Sequence, residues 1–417
     1  MSDLITIEEA RRRVLEAVTR VGDEAVSLDA ALGRVLAEEV TSTLDVPPFD
    51  SSAMDGFAVV AGSAAELDVI GEARAGRPFG GAVSPGQAVR ISTGAVVPEG
   101  ADAVVPFERT TAVKGGGSGD GVSLAHHIDA QVRHDRVSVP ETRPGTNIRR
   151  AGEDIPFNAV VLHAGTPLGP AELGVAASVG RAELRCARQP RVAVLVTGDE
   201  LTEPGAALAP GGIYSSNAFA LAAQVERAGG ELVARATVPD DPQSTREQVG
   251  AALEDADVVI VSGGVSVGPH DHVKPALREL GVEERFWGVR LRPGKPTWFG
   301  TRGDTLAFGL PGNPVSAMVT FQLFVRPALA ALQGASPHTP RTSAQLAEAI
   351  GRNPEREQAI RVRLLQSENN GDLEATPTTG AQGSHVLTSM VGAEGLALIA
   401  PGEGEAAAGE RVEVELL

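Results

Sequence analysis

Three loops with unusual sequences follow strands of one predicted α/β region and could bind phosphate. They combine glycine with small polar residues, so backbone N–H groups can close around an anion while the following helix N-terminus adds partial positive charge. One such loop is commonly only a tight turn, but three at one sheet edge favour a ligand site. The loops contain Thr197, Gly198, Asp199 and Glu200; the run from Ser262 through Gly263, Gly264 and Ser266 to Gly268; and Pro311, Gly312 and Asn313.

None of these loops matches a familiar nucleotide-binding fingerprint. No Gly-Lys-Ser/Thr follows the glycines, as a P-loop requires, and the dinucleotide glycine pattern is missing from the sequence. A kinase or a dehydrogenase is therefore disfavoured.

Acidic residues recur near the same loops and suggest a magnesium site. Mg²⁺ typically takes one or two carboxylates together with waters and phosphate oxygens. Asp241 precedes Pro242 and can equally be a helix N-cap, whereas for Asp271 ligand binding is the favoured interpretation. The acidic set is Asp199, Glu200, Asp240, Asp241 and Asp271.

Two basic clusters interrupt an otherwise acidic chain and suit a multiply charged oxyanion. One spans residues 147–150 and the other spans residues 290–296. Strand alternation predicts that Arg290 and Arg292 lie on the same side, with Lys295 presented from a Gly-Pro turn. A solvated strand end is the alternative interpretation.

The segment from Arg191 to about Leu332 must position these residues. Strands and helices alternate along it, which predicts a doubly wound α/β domain with a mostly parallel sheet. Asp241-Pro242 and Asn313-Pro314 each read as an N-cap followed by proline at the first helical position. The predicted strands are 191–196, 231–238 and 257–261, and the predicted helices are 217–228, 242–253 and 314–332.

The rest of the chain predicts three further domains. Helical spacing over 8–20 and 28–39, with Ser27 as a candidate N-cap, and the helix predicted at 170–179 suggest a discontinuous helical domain. Short β-branched runs such as 87–92 and 103–107 predict an inserted β domain, with 114–121 as a hairpin tip or a disordered loop. Strand-like runs after Gly334 predict a small β-barrel or sandwich. The domains are 1–44 with 151–186, 45–150, 187–333 and 334–417.

Composition bounds the class of protein. The 54 acidic residues against 36 basic ones give a net charge of −18 over 417 residues, so nucleic acid is a disfavoured partner. The one cysteine, Cys186, is interpreted as a packing residue in a reducing compartment.

We expect a cytoplasmic protein, because the N-terminus lacks a signal-peptide pattern and no apolar run approaches the roughly 18 residues of a membrane span. His126, His127 and His134 lack metal-ligand spacing and are interpreted as surface residues.

Eight phrases, taken together, resemble one family: the molybdopterin molybdenumtransferases, which are MoeA in bacteria and the E domain of gephyrin in animals. They span nearly the whole chain in family order, and so many long matches are not expected by chance. The phrases are PPFDSSAMDGFAV (47–59), RISTGAVVPEGADAVVPFE (90–108), NIRRAGEDI (147–155), VTGDEL (196–201), IYSSN (213–217), SGGVSVG (262–268), RPGKP (292–296) and LPGNPVSA (310–317).

The resemblance implies a fold, a reaction and roles for residues. The implied fold has the same four domains, with an α/β domain like the stand-alone MogA and MoaB proteins, in a homodimer with the active site between subunits. The reaction is Mg²⁺-dependent transfer of molybdenum from molybdate to adenylated molybdopterin with release of AMP, and a MogA-like adenylating protein is the implied upstream partner. Implied site residues are Asp55 and Thr93 from the β domain; Glu200, Asp240 and Asp271 for Mg²⁺ and phosphates; Ser266, Lys274, Arg292 and Lys295 for phosphate or molybdate; and Arg361 or Arg363 with Ser384 from the barrel.

Other functions stay open from sequence alone. A peptide-binding scaffold is one, because gephyrin's E domain also clusters receptors. The preceding adenylation step is another, although the additional domains favour insertion. A paralogue that handles tungstate or has lost activity is a third. The segment 110–135 matches no family motif and receives no role.

Overall fold

The structure is a computed structural model that describes residues 4–113, 122–123, 135–265, 271–366, 371–378 and 380–417, with 122–123 described as backbone only. Contacts divide the chain into two compact units. One contains Glu39–His163 and Pro170–Ala182, and the other contains Met1–Glu38, Ala164–Gly169 and Glu183–Leu417. The boundaries of the four predicted domains stay a prediction.

Helices are fewer than strands in the described residues. The helices are α1 (Ile7–Glu16), α2 (Pro170–Ser178), α3 (Ser216–Arg227), α4 (Pro242–Asp255), α5 (Val273–Glu279), α6 (Pro314–Thr320) and α7 (Arg326–Leu332), and a π-helical turn (Phe321–Val325) joins α6 to α7. The strands before the α/β sheet are β1 (Asp23–Ser27), β2 (Val40–Thr41), β3 (Ser51–Ser52), β4 (Gly56–Val59), β5 (Ala65–Ala73), β6 (Gln87–Ile91), β7 (Ala103–Pro106), β8 (Thr111–Val113), β9 (Val122–Ser123), β10 (Arg136–Val139), β11 (Ile148–Arg149), β12 (Val160–Leu162) and β13 (Glu183–Ala187). The strands of the central region are β14 (Arg191–Thr197), β15 (Leu201–Thr202), β16 (Ile213–Tyr214), β17 (Glu231–Val238), β18 (Val258–Ser262), β19 (Glu283–Trp287), β20 (Leu291–Arg292), β21 (Trp298–Arg302) and β22 (Thr305–Leu310). The C-terminal strands are β23 (Arg341–Leu346), β24 (Ile350–Gly351), β25 (Glu357–Gln366), β26 (Leu373–Pro377), β27 (Gly395–Ile399), β28 (Glu405–Ala406) and β29 (Arg411–Leu416).

The unit that contains Glu39–His163 is built on a seven-stranded sheet in the order β7-β4-β6-β5-β10-β8-β9. Phe57, Val59, Val105 and Val137 pack on one face of this sheet. The predicted inserted β domain is confirmed by this sheet. The segment 114–121, predicted as a hairpin tip or disordered loop, lies outside the described residues.

The N-terminal prediction was half right. Helix α1 begins after Thr6, whose hydroxyl accepts a hydrogen bond from the Glu9 backbone N–H at 3.1 Å. The helix predicted over 28–39 was wrong, because only a 3-10 turn at Leu28–Ala30 forms there and Ser27 makes no side-chain cap. Strand β1 pairs with β13, and the backbone of 33–37 that follows it bonds to 165–168 and 185–187, with bridges from Val35 to Pro167 and from Leu36 to Cys186. Pairing between segments far apart in the sequence therefore overrides local helix propensity. Helix α2 was predicted correctly, and its packing against α1 stays a prediction.

The central sheet has the order β17-β14-β18-β22-β21-β19. Its first four strands are parallel and its last two pair antiparallel, which confirms a mostly parallel sheet. Alternate residues of β14 enter two different cores, with Val192 and Val194 on one face and Ala193 and Leu195 on the other. Both faces are therefore covered, as a doubly wound fold requires.

An ion pair fixes the entry to this sheet. The two terminal guanidinium nitrogens of Arg188 donate to the Asp257 carboxylate at 2.8 and 2.9 Å, and the Arg191 backbone N–H donates to it at 2.6 Å. Burial by itself raises the pKa of Asp257, but these hydrogen bonds lower it below its usual value. The ionised carboxylate therefore stabilises the start of β14.

Helix α6, the π-helical turn and α7 form one continuous apolar helix from Pro314 to Leu332. By length and composition this helix could cross a membrane, so the expectation that no apolar run approaches that length was wrong. Most of it is buried within the protein, where Val319, Phe321 and Leu329 belong to the larger core. Core packing accounts for its apolar character.

The C-terminal strands close into a barrel. The order β25-β26-β23-β29-β27 returns to β25, and β20 adds to β25 at the side. The predicted barrel is therefore confirmed. The buried Glu415 of β29 accepts hydrogen bonds from Arg11 of α1 at 2.6 Å on both oxygens, and Arg341 lies 3.6 Å away. This ion pair joins the first helix to the barrel.

Candidate active site

The three glycine loops meet at the carboxyl edge of the central sheet. The Gly263 backbone N–H donates to the Leu310 carbonyl oxygen at 3.0 Å. Gly263 has a φ of +100°, and a Cβ added there would lie 2.6 Å from the Thr197 hydroxyl oxygen. A Cβ added at Gly312 would lie 3.7 Å from the Gly263 Cα. The structure thus brings Thr197, Gly263 and Gly312 together, at a place where only glycine at position 263 fits the backbone.

Asn217 joins two of the loops and was not predicted as a site residue. Its side-chain amide donates to the Ser262 hydroxyl at 3.0 Å and to the Gly312 carbonyl at 2.7 Å. The Ser262 hydroxyl donates onward to the Pro311 carbonyl at 3.0 Å. Ser262 and Asn217 therefore hold the loops in place, and the only sequence signal was the position of Asn217 inside the IYSSN phrase.

The acidic residues after β14 and β17 are exposed. The Glu200 carboxylate folds over Gly198, so that a Cβ there would lie 2.5 Å from a carboxylate oxygen. The Asp240 backbone N–H donates to the Asp199 carboxylate at 3.0 Å. Asp241 caps α4 by accepting from the Ser244 N–H at 2.7 Å, and this hydrogen bond lowers the pKa of Asp241. The capping interpretation of Asp241 is thereby confirmed.

Asp271 is the unusual carboxylate of the site. Its side chain is 7% exposed, and neither of its buried oxygens accepts a hydrogen bond in the described residues. The Lys274 ammonium lies 3.6 Å away. Burial raises the pKa of Asp271, and Lys274 opposes this rise. A buried carboxylate without hydrogen bonds is costly, and a cation would offset that cost.

The predicted magnesium ligands do not form a three-residue cluster. No group of three His, Cys, Asp or Glu side chains in the described ranges is arranged to hold a metal, so Glu200, Asp240 and Asp271 are not brought together in this way. Mg²⁺ needs only one or two carboxylates when phosphate oxygens and waters complete its shell. Asp271 fits that requirement, and a role for the other two stays a prediction.

A second feature is a positively charged cleft of about 510 Å³ between the α/β domain and the barrel, within one compact unit. The described residues that line it include no carboxylate. Gln358, Gln382, Asn313 and Ser316 add uncharged polar groups. The cations of the lining are Arg292, Lys295, Arg356 and Arg361, and His385 lies beside them. Such a lining suits a compact dianion.

Arg361 is fully buried at the base of this lining. Its guanidinium donates to the Ser389 hydroxyl at 3.1 Å, to the Ala359 carbonyl at 3.1 Å and to the Gly383 carbonyl at 3.4 Å. None of the ion pairs in the described part of the chain involves it. Burial lowers the pKa of Arg361 to about 10, so it stays charged at neutral pH. A bound anion would supply the charge partner that the protein does not.

Only some of the basic residues predicted for the site line this cleft. Arg292 and Lys295 line it together, whereas Arg290 donates to the Leu4 carbonyl at 2.8 Å and is not part of the lining. Of the two barrel arginines, Arg361 lines the cleft and Arg363 lies beside Gly392 instead.

Ser384 lines the cleft as expected, and its carbonyl accepts from the Val315 N–H at the start of α6. Arg356 and His385 were missed, because the barrel segments that carry them had weak sequence signals. Ser266 lies outside the described residues, as do His126, His127 and His134.

Asp55 and Thr93 belong to the other compact unit. The Thr93 backbone N–H donates to the Asp55 carboxylate at 2.8 Å, and both residues are exposed. The two motifs are therefore adjacent, and their role toward the site stays a prediction. Cys186 is buried, as its packing interpretation requires.

Comparisons with known proteins match nearly the whole chain to one family. Residues 5–180 match the MoeA N-terminal region (domain I and II), residues 193–331 match a "probable molybdopterin binding domain", and residues 343–417 match the MoeA C-terminal region (domain IV). The chain is 36% identical to the molybdopterin molybdenumtransferase of Haemophilus influenzae, over 99% of this chain and 98% of that protein. It is 38% identical to molybdopterin molybdenumtransferase 2 of Mycobacterium tuberculosis, over 98% of each.

A solved structure agrees with the fold. The crystal structure of the molybdopterin biosynthesis MoeA protein from Pyrococcus horikoshii OT3 is 28% identical, covers 100% of each chain and superposes with a TM-score of 0.79. With three family regions matched in order and full-length relatives above 30% identity, the chain belongs to the MoeA family of molybdopterin molybdenumtransferases.

Proposed function

We propose that this transferase inserts molybdenum into adenylated molybdopterin in the biosynthesis of the molybdenum cofactor, with molybdate as the metal source and AMP as a product. The names of its full-length relatives support the reaction class. The observation that carries the proposal is the cleft in which Arg292, Lys295, Arg356 and Arg361 converge and whose described lining includes no carboxylate.

Molybdate is a compact tetrahedral dianion, and the cleft offers what it needs. Arg361 presents a buried charge whose described hydrogen-bond acceptors are all neutral. Arg292 and Lys295 are exposed at the same lining and can pair with the oxo groups. Charge-assisted hydrogen bonds of this kind are about twice as strong as neutral ones. These residues would hold molybdate while the two pterin thiols bond to molybdenum and one oxo group leaves as water with the two thiol protons.

The glycine loops would hold the phosphate end of the adenylated pterin. Backbone N–H groups near Gly263 and Gly312 suit phosphate oxygens, and Lys274 adds a positive charge. Asp271, with Glu200 and Asp240 as further candidates, would hold Mg²⁺ together with the phosphates. When bound, Mg²⁺ would supply charge neutralisation that favours departure of AMP. Water would attack the phosphoanhydride link and take the place of the leaving group, so no side-chain nucleophile is required.

The test is AMP release from adenylated molybdopterin with Mg²⁺, with and without molybdate. We expect release to depend on molybdate and to fall in Asp271→Asn and in Lys295→Ala. Asp241→Asn is the matched control, because asparagine also caps a helix and the residue only caps α4. Full AMP release by both site variants would show that the site is wrongly assigned, and tight pterin binding without AMP would point to a scaffold.

We also propose that the enzyme works in the cytoplasm as a homodimer that receives its pterin from a MogA-like adenylating protein. Leu208, Ile213, Tyr214 and Phe219 are each more than 40% exposed, and solvent-exposed apolar groups of this size favour burial by a partner. Light scattering coupled to size exclusion should give twice the monomer mass. A monomer at micromolar concentration would contradict the homodimer.

A further inference from the structure

Trp287 lies at the end of β19, on the edge strand of the central sheet. Its Cα pairs with that of Trp298 on β21. The indole N–H donates to the Val265 carbonyl at 3.1 Å, and the Lys274 ammonium lies 5.1 Å from the centre of an indole ring. One side chain therefore contacts both the glycine loop after β18 and the start of α5.

The indole N–H of Trp287 supplies the Val265 carbonyl with a donor that no neighbouring strand in the described residues supplies. Val265 lies three residues beyond the end of β18, so the sheet ladder does not supply its carbonyl with a donor. Its side chain is buried against Gly309, where an added Cβ would lie 2.5 Å from Val265. Packing thus fixes the side chain, and the indole N–H fixes the carbonyl. The conformation of Gly263 and Gly264, just before Val265, depends on both.

The ring face acts on Lys274. The ammonium lies 5.1 Å from the centre of the Trp287 ring and 3.6 Å from Oδ2 of Asp271. An aromatic face attracts a cation at this distance, so the ring restricts where a long, flexible lysine side chain can place its charge.

We propose that Trp287 is a positioning residue. It holds residues 263–265 of the glycine loop and the Lys274 ammonium in the positions that bind the phosphates of the adenylated pterin. The proposal rests on the proposed function of the same site. Trp287 acts through its neighbours: the N–H acts through the Val265 carbonyl, and the ring acts through the Lys274 ammonium. The two contacts can be separated by substitution.

Trp287→Phe keeps an aromatic face for Lys274 and removes the donor to Val265, whereas Trp287→Leu removes both contacts. Because a buried carbonyl is left without its donor, we expect KM for adenylated molybdopterin to rise about tenfold in Trp287→Phe. A further rise of about threefold is expected in Trp287→Leu, which also lacks the cation–π contact. The KM for molybdate should stay within about twofold in both variants, since the cleft does not contain Trp287.

Trp298→Phe is the matched control. It makes the same chemical change one strand away and removes an indole hydrogen bond to Glu284 at 2.8 Å, which touches neither loop. Its KM values should match the wild type. A Trp287→Phe enzyme with wild-type KM for the pterin, or one whose KM values for both substrates rise together, would overturn the positioning role.

Fluorescence gives a second readout that needs no turnover. The chain has two tryptophans, so Trp298→Phe leaves Trp287 as the single reporter and Trp287→Phe leaves Trp298. Titration with AMP and Mg²⁺ should change the emission of the first variant saturably and leave that of the second unchanged. An active wild type combined with a silent Trp287 would overturn the proposal. A responsive Trp287 in a wild type that releases no AMP would instead refute the proposed reaction.

Discussion

Replacement of Arg361 by methionine should weaken molybdate binding without destabilising the fold. The guanidinium is fully buried, and its described hydrogen bonds go to two carbonyls and a hydroxyl. The protein thus carries the cost of burying a charge and recovers it only when an anion binds. Methionine has a similar length and no charge.

The magnitude follows from the loss of one charge-assisted interaction with the anion. Hydrogen bonds to charged groups contribute about 2 kcal/mol, which corresponds to a Kd for molybdate about 30-fold higher in Arg361→Met. Stability should change little, because removal of the buried charge offsets the loss of its hydrogen bonds to Ser389, Ala359 and Gly383.

The assay is titration calorimetry with molybdate, paired with thermal unfolding of the anion-free protein. Arg363→Met is the control, since it makes the same change two residues along β25 at an exposed position outside the cleft. A Kd for Arg361→Met within twofold of the wild type would refute the reasoning. Equal weakening in both variants would show that only the net charge of the chain matters.

Three further predictions concern the loops and the framework. Gly263→Ala should abolish AMP release while circular dichroism shows a folded protein. Gly263 has a positive φ, and the new Cβ would lie 2.6 Å from the Thr197 hydroxyl oxygen. Normal AMP release would contradict the tight contact. Glu415→Gln should lower the free energy of unfolding by about 3 kcal/mol in denaturant titration, because it weakens the ion pair between the fully buried Glu415 and the mostly buried Arg11. An unchanged midpoint would show that the pair contributes little. The folded-state pKa of Asp257 is lowered, so the wild type should be more stable than Asp257→Asn by a constant free energy of unfolding above about pH 5. This difference should disappear as pH falls and the carboxylate is protonated. A difference in unfolding free energy that grows toward low pH would contradict the lowered pKa.

Local signals in the sequence predicted the central sheet and its loops well. Asp241 caps α4, and Pro242 is its first residue. Gly229 follows the end of α3 and has a positive φ of 80°. These features depend on residues that are neighbours in the sequence, so they can be predicted from the sequence alone. The helix predicted over 28–39 was wrong because Val35 and Leu36 form bridges with Pro167 and Cys186, more than 130 residues later.

Contacts between distant segments explain what the sequence missed at the site. Arg356 and His385 reach the cleft from separate segments of the barrel, and strand alternation alone placed Arg290 beside Arg292 although only the latter lines the cleft. Asn217 bonds to loops 45 and 95 residues away. Motif phrases indicated which residues matter, but only the packed fold determines which of them meet.

The central claim is that the cleft lined by Arg292, Lys295 and Arg361 holds molybdate. The most direct measurement is diffraction at the molybdenum absorption edge from crystals of the protein soaked in molybdate. We predict an anomalous peak inside the cleft, within hydrogen-bonding reach of Arg361 and Ser384, that is lost in Arg361→Met and kept in Arg363→Met. A molybdenum peak elsewhere, or one that persists in Arg361→Met at the same occupancy, would contradict the account.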